Sequence, residues 1–110
     1  MDSVVNLVVL VTASSEAEAQ RIGRALLDER CAACVNVVPR VASSYWWQGK
    51  LESATETLLI IKTTAAHLDA VIRLVKSLHS YQVPEIIALP IVGGNPDYLA
   101  WIDRETVSGA

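Results

Sequence analysis

A chain of 110 residues that is 52% apolar, with a mean hydropathy of +0.35, has room for one domain that buries about two-thirds of its unfolded surface. Its formal charge of −3 and pI near 5.2, with lysines and arginines scattered singly, exclude the clustered basic face that a nucleic-acid partner requires. No apolar run approaches the ~20 residues of a membrane span, so the apolar surplus predicts burial of a surface between subunits.

Val4 to Val11 is a nearly continuous apolar, β-branched run and predicts a strand buried on both faces. Ser15 precedes Glu18 by three positions, the spacing of a capping box, and Glu16 and Glu18 suit a helix N-terminus. The helix is expected to reach about Glu29, with Ala19, Ile22, Ala25 and Leu26 as its apolar stripe. Cys34 to Val38 predicts a second strand that Pro39 interrupts. Val41 to Trp47 resumes it, and Gln48-Gly49 turns the chain into a returning strand from Lys50 to Lys62. A second helix is expected from about Ala65, with Leu68, Val71, Ile72, Val75 and Leu78 at helical spacing. Pro84 cannot lie inside it. Glu85 to Val92 predicts the last strand, with Pro90 marking an edge or a bulge. Asn95-Pro96 is a cap followed by an N1 proline for a terminal helix carrying Tyr98, Leu99, Trp101 and Ile102.

The order β-α-β-β-α-β plus a final helix predicts one α+β domain over residues 1–110, a ferredoxin-like sandwich. The hairpin from Val41 to Lys62 is longer than such a core needs. Its tip carries Tyr45, Trp46 and Trp47 in a row. Neighbouring strand residues face opposite ways, so the two tryptophans cannot share a face, and one of them is expected to meet another subunit.

Few motifs suggest chemistry. Cys31-Ala32-Ala33-Cys34 follows a helix, at the end of its dipole that disfavours a thiolate, which speaks against a redox pair. His67 and His79 stand about 18 Å apart along a single helix, too far to share one zinc ion. There is no G-x-S-x-G, H-E-x-x-H or phosphate loop, and Gly93-Gly94-Asn95 reads as a loop and cap. The chain is not expected to be an enzyme. Two cysteines imply no disulfide framework, and Met1-Asp2-Ser3 lacks the basic start of a signal peptide; the expected compartment is the reducing cytoplasm. The run from His79 to Glu85 is the densest polar cluster. It reads either as a helix end with a satisfied turn, or as a pocket for a metal or a small anion with Lys62 and Trp47 nearby.

Several segments together resemble a known family. Ala33-Cys34-Val35-Asn36, Ser44-Tyr45-Trp46-Trp47-Gln48-Gly49-Lys50, Glu56 with Ile61-Lys62-Thr63, His79 to Ile86, and Gly94 to Trp101 are similar, in order and spacing, to the divalent-cation tolerance proteins of the CutA family. The resemblance spans residues 4 to 105. It implies a PII-like homotrimer with ligand clefts between subunits, an association with divalent-metal tolerance, and copper binding as in some members. It also implies no catalytic residue. By position, Cys34, Trp47, Lys62, His79, Tyr81 and Glu85 would line the intersubunit cleft, with His79 and Cys34 as metal ligands and copper or another divalent metal as the bound ion. Ser80 stands where the family often has proline, and Val11 where some members carry a thiol. The alternative is a PII-like scaffold that binds a small metabolite or a partner protein, with Lys62 favouring anions.

Overall fold

The computed structural model describes residues 6–106. Val4 and Val5, the expected start of the first strand, lie outside the described residues. Strand β1 (Asn6–Ala13) leads into helix α1 (Glu16–Asp28), then β2 (Cys34–Trp47) and β3 (Lys50–Thr64). A 3-10 turn at Ala65–His67 opens helix α2 (Leu68–Leu78), followed by β4 (Ile86–Pro90) and helix α3 (Pro96–Glu105). The four strands form one sheet in the order β2-β3-β1-β4, and each neighbouring pair is antiparallel. This is the expected ferredoxin-like α+β arrangement.

Local chemistry explains the boundaries. The Ser15 side chain accepts from the Glu18 N–H at 3.1 Å and starts α1. The helix ends where Arg30 turns left-handed at φ 59°. There the Cys31 N–H reaches the Leu26 carbonyl and the Arg30 N–H the Leu27 carbonyl, a Schellman closure without the usual glycine. Asn95 accepts from the Asp97 N–H at 3.0 Å and, with Pro96 at the first position, starts α3 as expected.

Pro39 interrupts the pairing as expected, and Val41 resumes it, although β2 continues through the interruption on the sheet edge, where a missing N–H is tolerated. The disturbance appears as a register shift between Val38 and Val41, with Arg40 at φ 62°. The last strand is shorter than expected, ending at Pro90 rather than Val92.

The core lies between α1, α2 and one face of the sheet. Val9, Val11, Leu59 and Ile61 point into it, meeting Ile22 and Leu26 of α1 and Val71 and Val75 of α2. Alternate residues of the same strands, Val8, Leu10, Leu58 and Ile60, face the other way and are only half-buried. Ile87 and Leu89 of β4 pair with Leu10 and Val8 and stay exposed. The β2–β3 hairpin projects beyond this body, which is why the radius of gyration is 14.6 Å rather than the about 13 Å of a compact chain this long.

Candidate functional site

The register shift in β2 has a direct effect on the site. Before it, Cys34, Asn36 and Val38 pair with Lys62, Ile60 and Leu58 on the open face. One extra residue at the bulge reverses the phase, so beyond it Val41, Tyr45 and Trp47 pair with Glu56, Glu52 and Lys50 on that same face. Without the bulge, Tyr45 and Trp47 would point to the opposite side. Trp46 does point there, 73% exposed and opposite Leu51. A two-residue turn at Gln48-Gly49, with φ of 50° and 81°, closes the hairpin.

Tyr45, Trp47 and Glu56 meet Thr12 of β1 and the loop residues Tyr81, Gln82, Val83 and Glu85 around a cleft of about 310 Å³. At its centre the Tyr81 hydroxyl donates to Glu56 Oε2 at 2.7 Å. Glu56 is only 7% exposed. Burial, then the hydrogen bond to Glu56 and the nearby negative charges, push the Tyr81 phenol well above its usual range. Tyr81 therefore stays a donor.

The loop that carries Tyr81 is held from beneath. The Tyr81 N–H donates to His79 Nδ1 at 3.0 Å, and His79 Nε2 lies 2.7 Å from the Thr12 carbonyl. An acceptor at Nδ1 and a carbonyl at Nε2 assign the neutral tautomer with its proton on Nε2. The imidazole also packs on the Tyr81 ring, with centroids 4.7 Å apart. A second brace comes from Glu18, 3% exposed. Its Oε1 accepts from the Ser14 N–H and hydroxyl at 2.8 and 2.9 Å, and its Oε2 from the Ser80 N–H at 2.7 Å. Burial by itself raises this carboxyl, but the hydrogen bonds from Ser14 and Ser80 outweigh it and bring the pKa to about 2. The capping box is thus half as expected: Ser15 caps Glu18, while Glu18 reaches Ser14 and the distant loop instead of the Ser15 N–H.

The residues named from the sequence fall into two groups. Trp47, Tyr81 and Glu85 line the cleft. His79 supports it from behind, with both ring nitrogens engaged. Cys34 and Lys62 lie elsewhere: Cys34 pairs with Lys62 and Lys62 with Val8, four residues along β1 from Thr12, or about 13 Å of strand. There the Lys62 ammonium lies 3.9 Å from Cys34 Sγ and also bonds the Asn36 side chain. Tyr98 of α3 borders this group, its phenol raised by burial and by Cys34. One subunit therefore does not bring His79 and Cys34 together, and the cleft has no lysine among its lining residues. Among the described residues, no group of three or more His, Cys, Asp or Glu side chains could hold a metal ion. Cys31 is buried, its thiol donating to the Leu26 carbonyl at 3.5 Å and pushed up by burial, a structural residue as expected.

Sequence reasoning did not single out Thr12 or the cleft-facing role of Tyr45, and it named Glu56, Gln82 and Val83 only within longer motifs, without a place of their own in the site. A signal existed for Glu56, an isolated carboxylate at the head of the apolar run Leu58 to Ile61. Its partner across the sheet depends on the bulge, which residue order alone does not position.

The chain is thus a small α+β sandwich with one open sheet face, a projecting hairpin and a cleft lined by carboxylates and aromatic rings. Residues 7–105 match the CutA1 divalent ion tolerance protein family, and the chain belongs to that family. The rice protein "CutA 1, chloroplastic" is 47% identical over 94% of this chain, which spans 59% of the rice protein's length. The divalent-cation tolerance protein CutA of Thermus thermophilus is 50% identical, with 90% of this chain and 96% of that protein covered. The crystal structure of CutA1 from Oryza sativa superposes with a TM-score of 0.93 at 46% identity, covering 97% of this chain and 98% of that one.

Proposed function

We propose that the chain works as a cytoplasmic homotrimer in divalent-cation tolerance, binding metal without catalytic turnover. The supporting observation is the open face of the sheet. Val8, Leu10, Leu58 and Ile60 are half-buried there beside the exposed Val38, Ile87 and Leu89, and among the described residues β2 and β4 each have one edge without a strand partner. Apolar surface next to free strand edges is stabilised when identical copies close on one another. The free thiols of Cys31 and Cys34 suit a reducing compartment, and no helix among the described residues is long and apolar enough to cross a membrane.

Copper is the metal that this chain's donors suit best. Cys34 is a soft ligand, half-buried on the open face, and the remaining ligands would have to come from neighbouring copies. The Lys62 ammonium opposes a cation at that sulfur, so metal binding requires Lys62 to swing aside. An anaerobic copper titration of the assembled protein tests this. Cys34→Ser is expected to weaken binding by about tenfold or more, whereas Lys62→Met is expected to strengthen it. Equal affinity in the wild type and both variants would remove Cys34 from the metal site. Sedimentation velocity at micromolar concentration tests the trimer separately.

The braced cleft favours a second reading, a PII-like trimer that holds a small ligand. A volume of about 310 Å³ is at the lower end of small-molecule pockets. Its lining does not favour an anion, since the lysine expected to attract one lies with Cys34 instead.

A further inference from the structure

The cleft has a specific chemical character. Two carboxylates, Glu56 and Glu85, and three aromatic rings, Tyr45, Trp47 and Tyr81, are among its lining residues, and none of those residues is a lysine or arginine. We propose that it is a cage for a small organic ammonium ion, a reading that rests on the small-ligand function above and supplies the chemistry of the ligand.

Glu56 is the first reason. A carboxylate that is 7% exposed needs compensation for its lost hydration. One oxygen has it in the Tyr81 hydroxyl. Among the described residues His67 Nε2, and no atom of Glu56, is buried without a partner, so the second oxygen stays open to solvent, where a cation entering the cleft can reach it. Glu85 adds to the negative potential from the loop side.

The aromatic residues decide which cation. Tyr45 and Trp47 are brought to the Glu56 face only by the bulge at Val38/Val41, and a bulge that re-aims side chains beside a pocket is a common feature of functional sites. Aromatic faces attract weakly hydrated cations, and organic ammonium ions lined by such rings are a recurrent mode of recognition. A hard divalent ion instead needs six or more oxygens, or octahedral geometry. This cleft has two carboxylates, with one oxygen of Glu56 already accepting from Tyr81, and among the described residues no cluster of three His, Cys, Asp or Glu ligands. The volume of about 310 Å³ admits an amine of a few carbons with its ammonium at Glu56 and its chain against Val83 and the rings.

The same loop explains why Tyr81 is braced twice. Its hydroxyl must hold Glu56 at a fixed depth, so the His79 and Glu18 contacts act on cleft geometry without touching the ligand. They are positioning residues.

The test uses the assembled wild-type protein with n-butylammonium chloride as the probe. Butyrate serves as a probe of equal length and opposite charge, and magnesium and sodium chlorides are run at matched ionic strength. Saturation-transfer NMR and calorimetry are expected to show saturable binding of butylammonium only. Glu56→Gln and Trp47→Leu are each expected to weaken it by about tenfold or more. Glu85→Gln, at an exposed position that does not threaten folding, is expected to weaken it several-fold. Butyrate binding as well as butylammonium, magnesium displacing it at equal concentration, or unchanged affinity in both Trp47→Leu and Glu85→Gln would each overturn the cage. Sedimentation of the same samples separates the two readings: a trimer that ignores butylammonium overturns the cage alone, while a monomeric wild type overturns the assembly beneath it.

Discussion

On the helix-covered face of the sheet, Val9, Val11, Leu59 and Ile61 are wholly buried; on the other face, Val8, Leu10, Leu58 and Ile60 of the same two strands are left half open. The residue types are nearly interchangeable, and only strand parity separates them. The strand residues considered for function, Cys34, Lys62, Thr12, Glu56, Tyr45 and Trp47, share the open face. Composition therefore says how much apolar surface there is, while alternation decides which half makes a core and which half carries function. The open face itself divides into two ends: carboxylates and rings around Thr12, and a thiol already paired with an ammonium around Val8. At the second end any cation would first have to displace the Lys62 ammonium from Cys34, whereas the lining of the first includes no lysine or arginine.

The largest test of this comparison sets adjacent residues of β3 against each other. Leu59→Ala removes a fully buried side chain and is expected to cost about 3 kcal/mol in denaturant unfolding at fixed protein concentration. Ile60→Asp, one position along and on the open face, is expected to leave far-UV circular dichroism intact while lowering the sedimenting mass towards that of a single chain. If Ile60→Asp keeps its full mass and instead unfolds like Leu59→Ala, the distinction between the two faces fails.

A smaller effect is expected at Glu18, which links the covered side to the cleft. Its folded pKa near 2, below the 4.5 of an ordinary glutamate, means that folding favours the ionised form. The stabilisation is fully present above about pH 4.5 and is lost as pH falls towards 2. Linkage puts it at no more than about 3 kcal/mol. Glu18→Gln is expected to lower stability at pH 7 by about 1–3 kcal/mol and to flatten the acid limb between pH 5 and pH 2 in thermal melts. An unchanged acid limb would mean that Glu18 does not hold the Ser80 loop.

Much of the fold was legible in residue order. The Ser15 and Asn95 caps, the Gln48-Gly49 turn and the apolar periodicities mark seven elements because each is a local signal. Pro39 marked the interruption between Val38 and Val41, but that the strand carries on through it depends on its lying at a sheet edge, and edge position is a tertiary fact. The site was legible only in part for the same reason. Trp47, Tyr81 and Glu85 stood out as polar or aromatic residues in turn-rich segments. Glu56 faces the open side by strand parity, but the rings of Tyr45 and Trp47 join it there only through a one-residue bulge in β2, and His79 looked like a ligand because sequence shows an imidazole but not the Thr12 carbonyl and Tyr81 N–H that engage it within the subunit. Lys62 and Cys34 are a cross-strand pair that register puts together and, within one subunit, away from the loop.

The smallest effect concerns how closely the covered face is packed. Gly23 of α1 lies over β2, and a Cβ built there would meet Val35 Cγ1 at 3.0 Å. In an exposed helix, glycine to alanine is worth about 1 kcal/mol of added stability. Here the methyl would press on a β-branched side chain whose χ1 is stiff, and such overpacking costs about 1–3 kcal/mol. Gly23→Ala is therefore expected to destabilise by about 1 kcal/mol despite its better helix propensity. Removing the obstacle reverses the sign: in a Val35→Ala background the same substitution is expected to stabilise by about 1 kcal/mol, as a double-mutant cycle would measure. A stabilising Gly23→Ala in the wild type would show that the covered face yields at this contact, and that its difference from the open face lies in burial alone rather than in close fit.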